Sequence, residues 1–114
     1  MVIYIDIDET ICNSPNKPDY KDSTPIKENI EKANKLYDEG HHIVYWTARG
    51  SVSGEDWTEL TKSQFEKYGV KYHELRFKKP AYDVMICDRC FNSFEALDLE
   101  KIEPHKELRC RPNF

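Results

Sequence analysis

Acids, hydroxyls and cations recur in this chain directly after short apolar runs. Val2–Ile5 is followed by Asp6, Ile7, Asp8, Glu9 and Thr10, and residues 43–46 by Thr47, Ala48, Arg49 and Gly50. Residues 72–77 lead into Lys78, Lys79 and Pro80, and residues 84–87 into Asp88 and Arg89. Buried charge is costly unless it is paired, so a sheet that had only to be stable would not need such ends. Two carboxylates together with Asp88 make a hard oxygen site that suits Mg²⁺, a cation that keeps water and takes one or two carboxylates beside a phosphate. Lys79 supplies a point charge for a bound phosphoryl group. Thr47 supplies a hydroxyl, and the loop after it backbone N–H groups. An aspartate can attack phosphorus and form an aspartyl phosphate. A second aspartate can serve as general acid and then as general base, while metal and lysine stabilise the transferring charge.

The elements that must present these residues follow from apolar spacing. Val2–Ile5 and residues 43–46 are continuous apolar runs, as expected for strands covered on both faces. Residues 72–77 and 84–87 are the third and fourth strand candidates. Between the first two, residues 12–24 carry Pro15 and Pro18 and read as a loop or small hairpin. A helix is expected next, with Thr24 as N-cap and Pro25 in its first position. Ile26, Ile30, Ala33 and Tyr37 form its apolar face, and Gly40 ends it in a left-handed conformation. The second helix has a weak capping box at Ser53-x-x-Asp56. Its face runs through Trp57, Leu60, Gln64 or Phe65, and Tyr68, and Gly69 closes it. Strands alternating with helices imply βαβ units: a parallel sheet of about four strands with helices on both faces. Ligands of such sheets bind beyond the carboxyl ends of the strands, which is where the chemistry-bearing residues fall. One domain is expected over residues 1–114, with a core of about 1–92 and an extension over about 93–114.

The four strand-end motifs resemble those of the haloacid dehalogenase (HAD) superfamily phosphatases. That family's first motif, an apolar strand followed by D-x-D-x-[TV], reads here Ile5-Asp6-Ile7-Asp8-Glu9-Thr10. The second, a Thr or Ser closing the next strand, falls at Thr47 in Trp46-Thr47-Ala48-Arg49. The third is a lysine, best matched by Lys79, with Lys78 as the alternative. The fourth, an acidic cluster after a further strand, falls at Ile86-Cys87-Asp88-Arg89. Order and spacing fit across roughly residues 1–92. The resemblance implies a three-layer, Rossmann-type α/β domain with a mainly parallel sheet and no large cap. It implies Asp6 as nucleophile and metal ligand. Asp8 becomes the acid/base, its backbone carbonyl also on the metal. Thr47 binds phosphoryl oxygens, with Ala48 and Arg49 beside it in the substrate-binding turn. Lys79 stabilises nucleophile and phosphoryl group, and Asp88 is the remaining Mg²⁺ ligand. Small relatives often carry Asp-Asp where this chain has Cys87-Asp88. The second acid is usually the ligand there, so metal binding is expected to survive. Arg49 either meets the leaving group or is ion-paired, and Asp83 is read as structural.

The resemblance further implies a capless, open site. Such a site takes a bulky substrate in a free monomer, or is covered by a neighbouring subunit of a homo-oligomer. The motif around Lys79 and Asp88 looks closest to phosphatases of capsule and polysaccharide biosynthesis. The expected substrate is a small sugar phosphate. A nucleotidase, a polynucleotide end-phosphatase and a non-catalytic HAD-like binding module are the alternatives. Net charge is −4, which argues against a nucleic-acid coat protein. No apolar run approaches a membrane span, and the first residues do not form a signal peptide, so a cytoplasmic place is expected. The four cysteines (Cys12, Cys87, Cys90 and Cys110) are then reduced thiols. Cys87-x-x-Cys90 has metal-like spacing without a second pair, and is read as a buried thiol at a strand end with another just after it.

Overall fold

The computed structural model describes residues 1–105. Cys110 and the end of the expected extension lie outside the described residues. Five strands and two α-helices follow one another: β1 (Val2–Ile5), β2 (Cys12–Asn13), β3 (Thr24–Pro25), α1 (Lys27–Asp38), β4 (His42–Trp46), α2 (Thr58–Tyr68) and β5 (Glu74–Arg76), with a 3₁₀ turn at Leu99–Lys101. β1, β4 and β5 form a parallel sheet in that order. Ile3 lies opposite Ile43, and Tyr45 opposite Leu75. The helices are the two crossovers that parallel pairing requires. Both crossovers step the same way, so β4 is central and β1 is an edge.

The central strand has the composition its place demands. Ile43, Val44 and Tyr45 are wholly buried, and each buried side chain of that size contributes about 1.5–3 kcal/mol. α1 packs Ile30, Ala33 and Leu36 into the same cluster. α2 adds Phe65, whose ring meets Tyr45 edge-on at 4.9 Å and Tyr72 at 5.1 Å. The left-handed Gly69, φ 69°, ends α2 as its type allows.

Several expectations are corrected. Thr24 and Pro25 do not start α1; they pair with Cys12 and Asn13 as the second arm of a small hairpin. Ile26 precedes the helix instead, without a side-chain cap. Asp56 accepts from the Thr58 N–H (2.9 Å) just ahead of α2, and Ser53 takes the Glu55 N–H, so no reciprocal capping box forms. The third strand is shorter than residues 72–77. Residues 84–87 form no strand at all. Val84 is 80% exposed and Ile86 97% exposed, and the Cys87 thiol, expected to be buried at a strand end, is exposed, as is Cys90 just after it. Among the described residues the parallel sheet therefore has three strands. The only insertion between β1 and α1 is the β2–β3 hairpin.

Candidate active site

The turn after β1 separates its two aspartates. Ile7 is 1% exposed and anchors the turn in the core. Its carbonyl accepts the N–H groups of Thr10 and Ile11 at 3.1 and 2.9 Å. Glu9 completes the turn with φ 63°, an uncommon conformation for a residue with a Cβ. Asn29 of α1 braces it by donating to the Thr10 carbonyl at 2.8 Å. With Ile7 directed inward, Asp6 and Asp8 face different surroundings.

Asp6 lies at the open carboxyl edge. Its carboxylate is 42% exposed and lies 3.6 Å from Lys79 Nζ. Lys79 is fixed there by its backbone, whose N–H donates to the Thr47 carbonyl at 3.1 Å. Its carbonyl accepts from Ser51 Oγ at 2.7 Å. The residue before it, Lys78, takes φ 65° to make this turn. Lys78 is exposed, so of the two lysines Lys79 is the one beside Asp6. Burial pushes the Asp6 carboxyl above its usual range. Lys79 opposes that shift, and the neighbouring Asp8 charge adds to it. The Lys79 ammonium also lies 5.8 Å from the Trp46 ring centre and 5.5 Å from that of Tyr82, within reach of their π faces. Aromatic spacing alone gave no sign of this role for Tyr82.

Asp8 points the other way, into a buried polar network. Arg49 Nε donates to its Oδ2 at 3.0 Å and Nη2 to its Oδ1 at 2.8 Å. Ser14 Oγ donates to Oδ1 and shares a 2.7 Å hydrogen bond with Ser23. Arg49 is 2% exposed. Its Nη1 donates to Thr61 Oγ1 at 3.0 Å and Gln64 Oε1 at 2.7 Å. Nη2 also reaches Cys12 Sγ, and the guanidinium lies 4.6 Å from the Tyr20 ring centre. The five N–H donors of the guanidinium are thus spent within the protein. Arg49 is a buried clamp on Asp8 rather than a substrate contact, which corrects its place in the substrate-binding turn. Thr61 and Gln64 were missed as members of this network. Their signal was two polar residues on the buried face of α2, which an apolar helix stripe does not require.

Thr47 continues the ladder past β4, its N–H donating to the Arg76 carbonyl at 2.9 Å. It is 1% exposed, and its hydroxyl accepts the Arg49 N–H at 3.1 Å. Ala48 follows at the same edge and is half-buried. Burial raises the Cys12 thiol to about 11, making it a poor nucleophile.

Asp88 is not part of this assembly. It lies in the exposed segment 81–90. Among the described residues no three acids, histidines or cysteines gather as a cation site. One chain therefore brings Asp6 and Lys79 together at the sheet edge, with the Asp8 side chain turned to Arg49, and its described residues do not supply the three-oxygen set that Mg²⁺ would need.

No family model and no curated protein matches the chain. A crystal structure of a structural-genomics target from Vibrio cholerae is similar to it at a TM-score of 0.76 and 23% identity, covering 89% of this chain and 93% of that one. The two share a fold. That span exceeds residues 1–79, so the shared fold continues past Lys79 into the segment that follows.

Proposed function

We propose that the chain is a HAD-like phosphatase that hydrolyses a small phosphomonoester through a phospho-aspartate on Asp6. The observation carrying this reading is the placement of Asp6 against Lys79 at the carboxyl edge, with Asp8 two residues on and held by Arg49. Asp6 attacks phosphorus: an Asp6 O–P bond forms as the bond to the leaving oxygen breaks. That oxygen takes its proton from Asp8, which for this step must leave the Arg49 clamp, turn to the edge and carry the proton. Lys79 offsets the charge on the phosphoryl oxygens. Water then attacks phosphorus, Asp8 takes its proton, and the Asp6 carboxylate leaves with its bonding pair, releasing inorganic phosphate. For the Mg²⁺ that the motif resemblance implies, the described residues of a single chain gather too few ligands.

The β2–β3 hairpin leaves the edge open, and Trp46 and Tyr82 beside Lys79 offer flat apolar faces suited to a sugar ring. The substrate class that fits is a sugar phosphate. The test is phosphate release from a panel of sugar phosphates and nucleotides, with and without Mg²⁺, beside Asp6→Asn. One sugar phosphate is expected to stand out, with at least a ~100-fold loss in the variant. A preference for nucleotides would overturn the substrate class and keep the chemistry. Equal rates for wild type and variant would contradict the chemistry and favour a binding module.

A further inference from the structure

Residues 84–87 have the composition of a strand buried on both faces, yet lie bare. Tyr82, Val84, Met85 and Ile86 are 49%, 80%, 51% and 97% exposed, and make up most of the exposed large apolar side chains of the described residues. Contiguous apolar surface of this kind marks an interaction site. At the other side of the sheet, β1 pairs only with β4 among the described strands. Its Tyr4 is 46% exposed. A strand is missing from the sheet edge, and a strand-forming segment has no sheet.

The chain cannot join these two within itself and also bring Asp88 to Asp6. Lys79 is fastened at the carboxyl ends of the strands by its N–H bond to the Thr47 carbonyl. To run parallel beside β1, the chain would first have to return to the amino ends, a crossover that takes a dozen or more residues. Only Pro80, Ala81, Tyr82 and Asp83 lie between Lys79 and Val84. The five Cα–Cα steps from Lys79 to Val84 reach about 18 Å when fully extended. The length of β1 alone takes about 13 Å of this, and the remaining ~5 Å is about one strand spacing, too little for a turn at each end and the step across the sheet. An antiparallel pairing needs no return, but delivers Asp88 to the wrong end.

A second copy has no such limit. We infer that the 80–90 arm of one molecule pairs, parallel, with the free edge of β1 in a second copy, and that the exchange is reciprocal. A two-fold axis closes such an exchange, and swapping an identical element is a low-cost route to a dimer. Parallel pairing puts the residue after the arm strand at the same edge as the residue after β1. Asp88 of one copy thereby joins Asp6 and the Asp8 backbone carbonyl of the other, and the oxygen set that one chain lacks is completed between two. This part of the inference rests on the phosphatase reading; the arm exchange itself does not.

Two measurements separate them. Light scattering of the full chain at about 50 μM should give twice the 13.5 kDa of one chain. Ile86→Asp should halve that mass with unchanged circular dichroism, because Ile86 touches little in its own chain. A monomeric wild type, or an Ile86→Asp variant that stays dimeric, overturns the exchange whatever the activity. Asp6→Asn and Asp88→Asn chains refolded together should recover about a quarter of wild-type Mg²⁺-dependent phosphate release. Half of the pairs are then mixed, and each mixed pair has one whole site. A silent mixture beside an active wild type overturns the shared site. A wild type that releases no phosphate sinks the phosphatase reading, and the mass still decides the exchange.

Discussion

Asp8 and Arg49 set the internal electrostatics of the site. The guanidinium is buried and holds the Asp8 carboxylate through two donors, and Thr61, Gln64 and Tyr20 close around it. Removing one member of a buried pair leaves the other uncompensated, at a cost of about 3–5 kcal/mol. Arg49→Ala is expected to lose that much stability in urea unfolding, and Arg49→Lys to recover little, since an ammonium cannot make the same fork. A variant within about 0.5 kcal/mol of wild type would show the clamp to be dispensable. Asp6 works in the opposite direction. Its carboxyl is raised chiefly by burial, so the folded chain binds that proton more tightly than the unfolded one. The ionised form then costs stability, a cost absent at low pH that appears as pH rises through the carboxylate range. The side chain is 42% exposed, so solvent screens the effect to below about 1 kcal/mol. Asp6→Asn should be slightly more stable than wild type at neutral pH, with the gap closing in acid. A gap that widens in acid contradicts this reading of Asp6. The clustering of acids and cations after apolar runs was legible from residue type alone. The spending of Arg49 inward was not, because a strand-end arginine looks the same in sequence whether it faces substrate or core.

At the scale of elements, β4 and the two helices were readable from continuous apolar runs and helical spacing. The start of α1 was not. Thr24-Pro25 has good capping chemistry, but pairing with Cys12 and Asn13 claimed it for the hairpin, a tertiary demand that local propensity does not register. The segment 84–87 shows the same limit more strongly. Its apolar run is real, but a strand exists only where a neighbour accepts its hydrogen bonds. Loop closure between β4 and α2 depends on Gly50. It has φ +81°, and a Cβ there would lie 2.1 Å from the Glu55 carbonyl oxygen. Gly50→Ala should cost more than about 1 kcal/mol in unfolding free energy. Gly54→Ala, which meets nothing within 4 Å, should cost less. Equal losses in the two variants would mean that the approach of Glu55 does not constrain the loop.

For the whole molecule, the sequence order of the motifs suggested that one chain holds the entire site. Their spacing in fact works against this. Lys79 and Asp88 are too close in sequence for a parallel return, and only the position of Lys79 at the carboxyl edge makes that visible. Among the described residues the architecture is a three-stranded α/β unit with acids and cations at its carboxyl edge and a bare apolar segment after Lys79, which in the proposed exchange pairs with β1 of a second copy. In the proposed reaction Asp6 is the group that takes the phosphoryl. Rapid acid quench during turnover of the preferred sugar phosphate, followed by peptide mass spectrometry, reads this directly. The expected result is a gain of about 80 Da, one phosphoryl group, on the peptide containing Asp6, lost in Asp6→Asn. Turnover with no phosphoryl on Asp6, or with the phosphoryl on another residue, would contradict it.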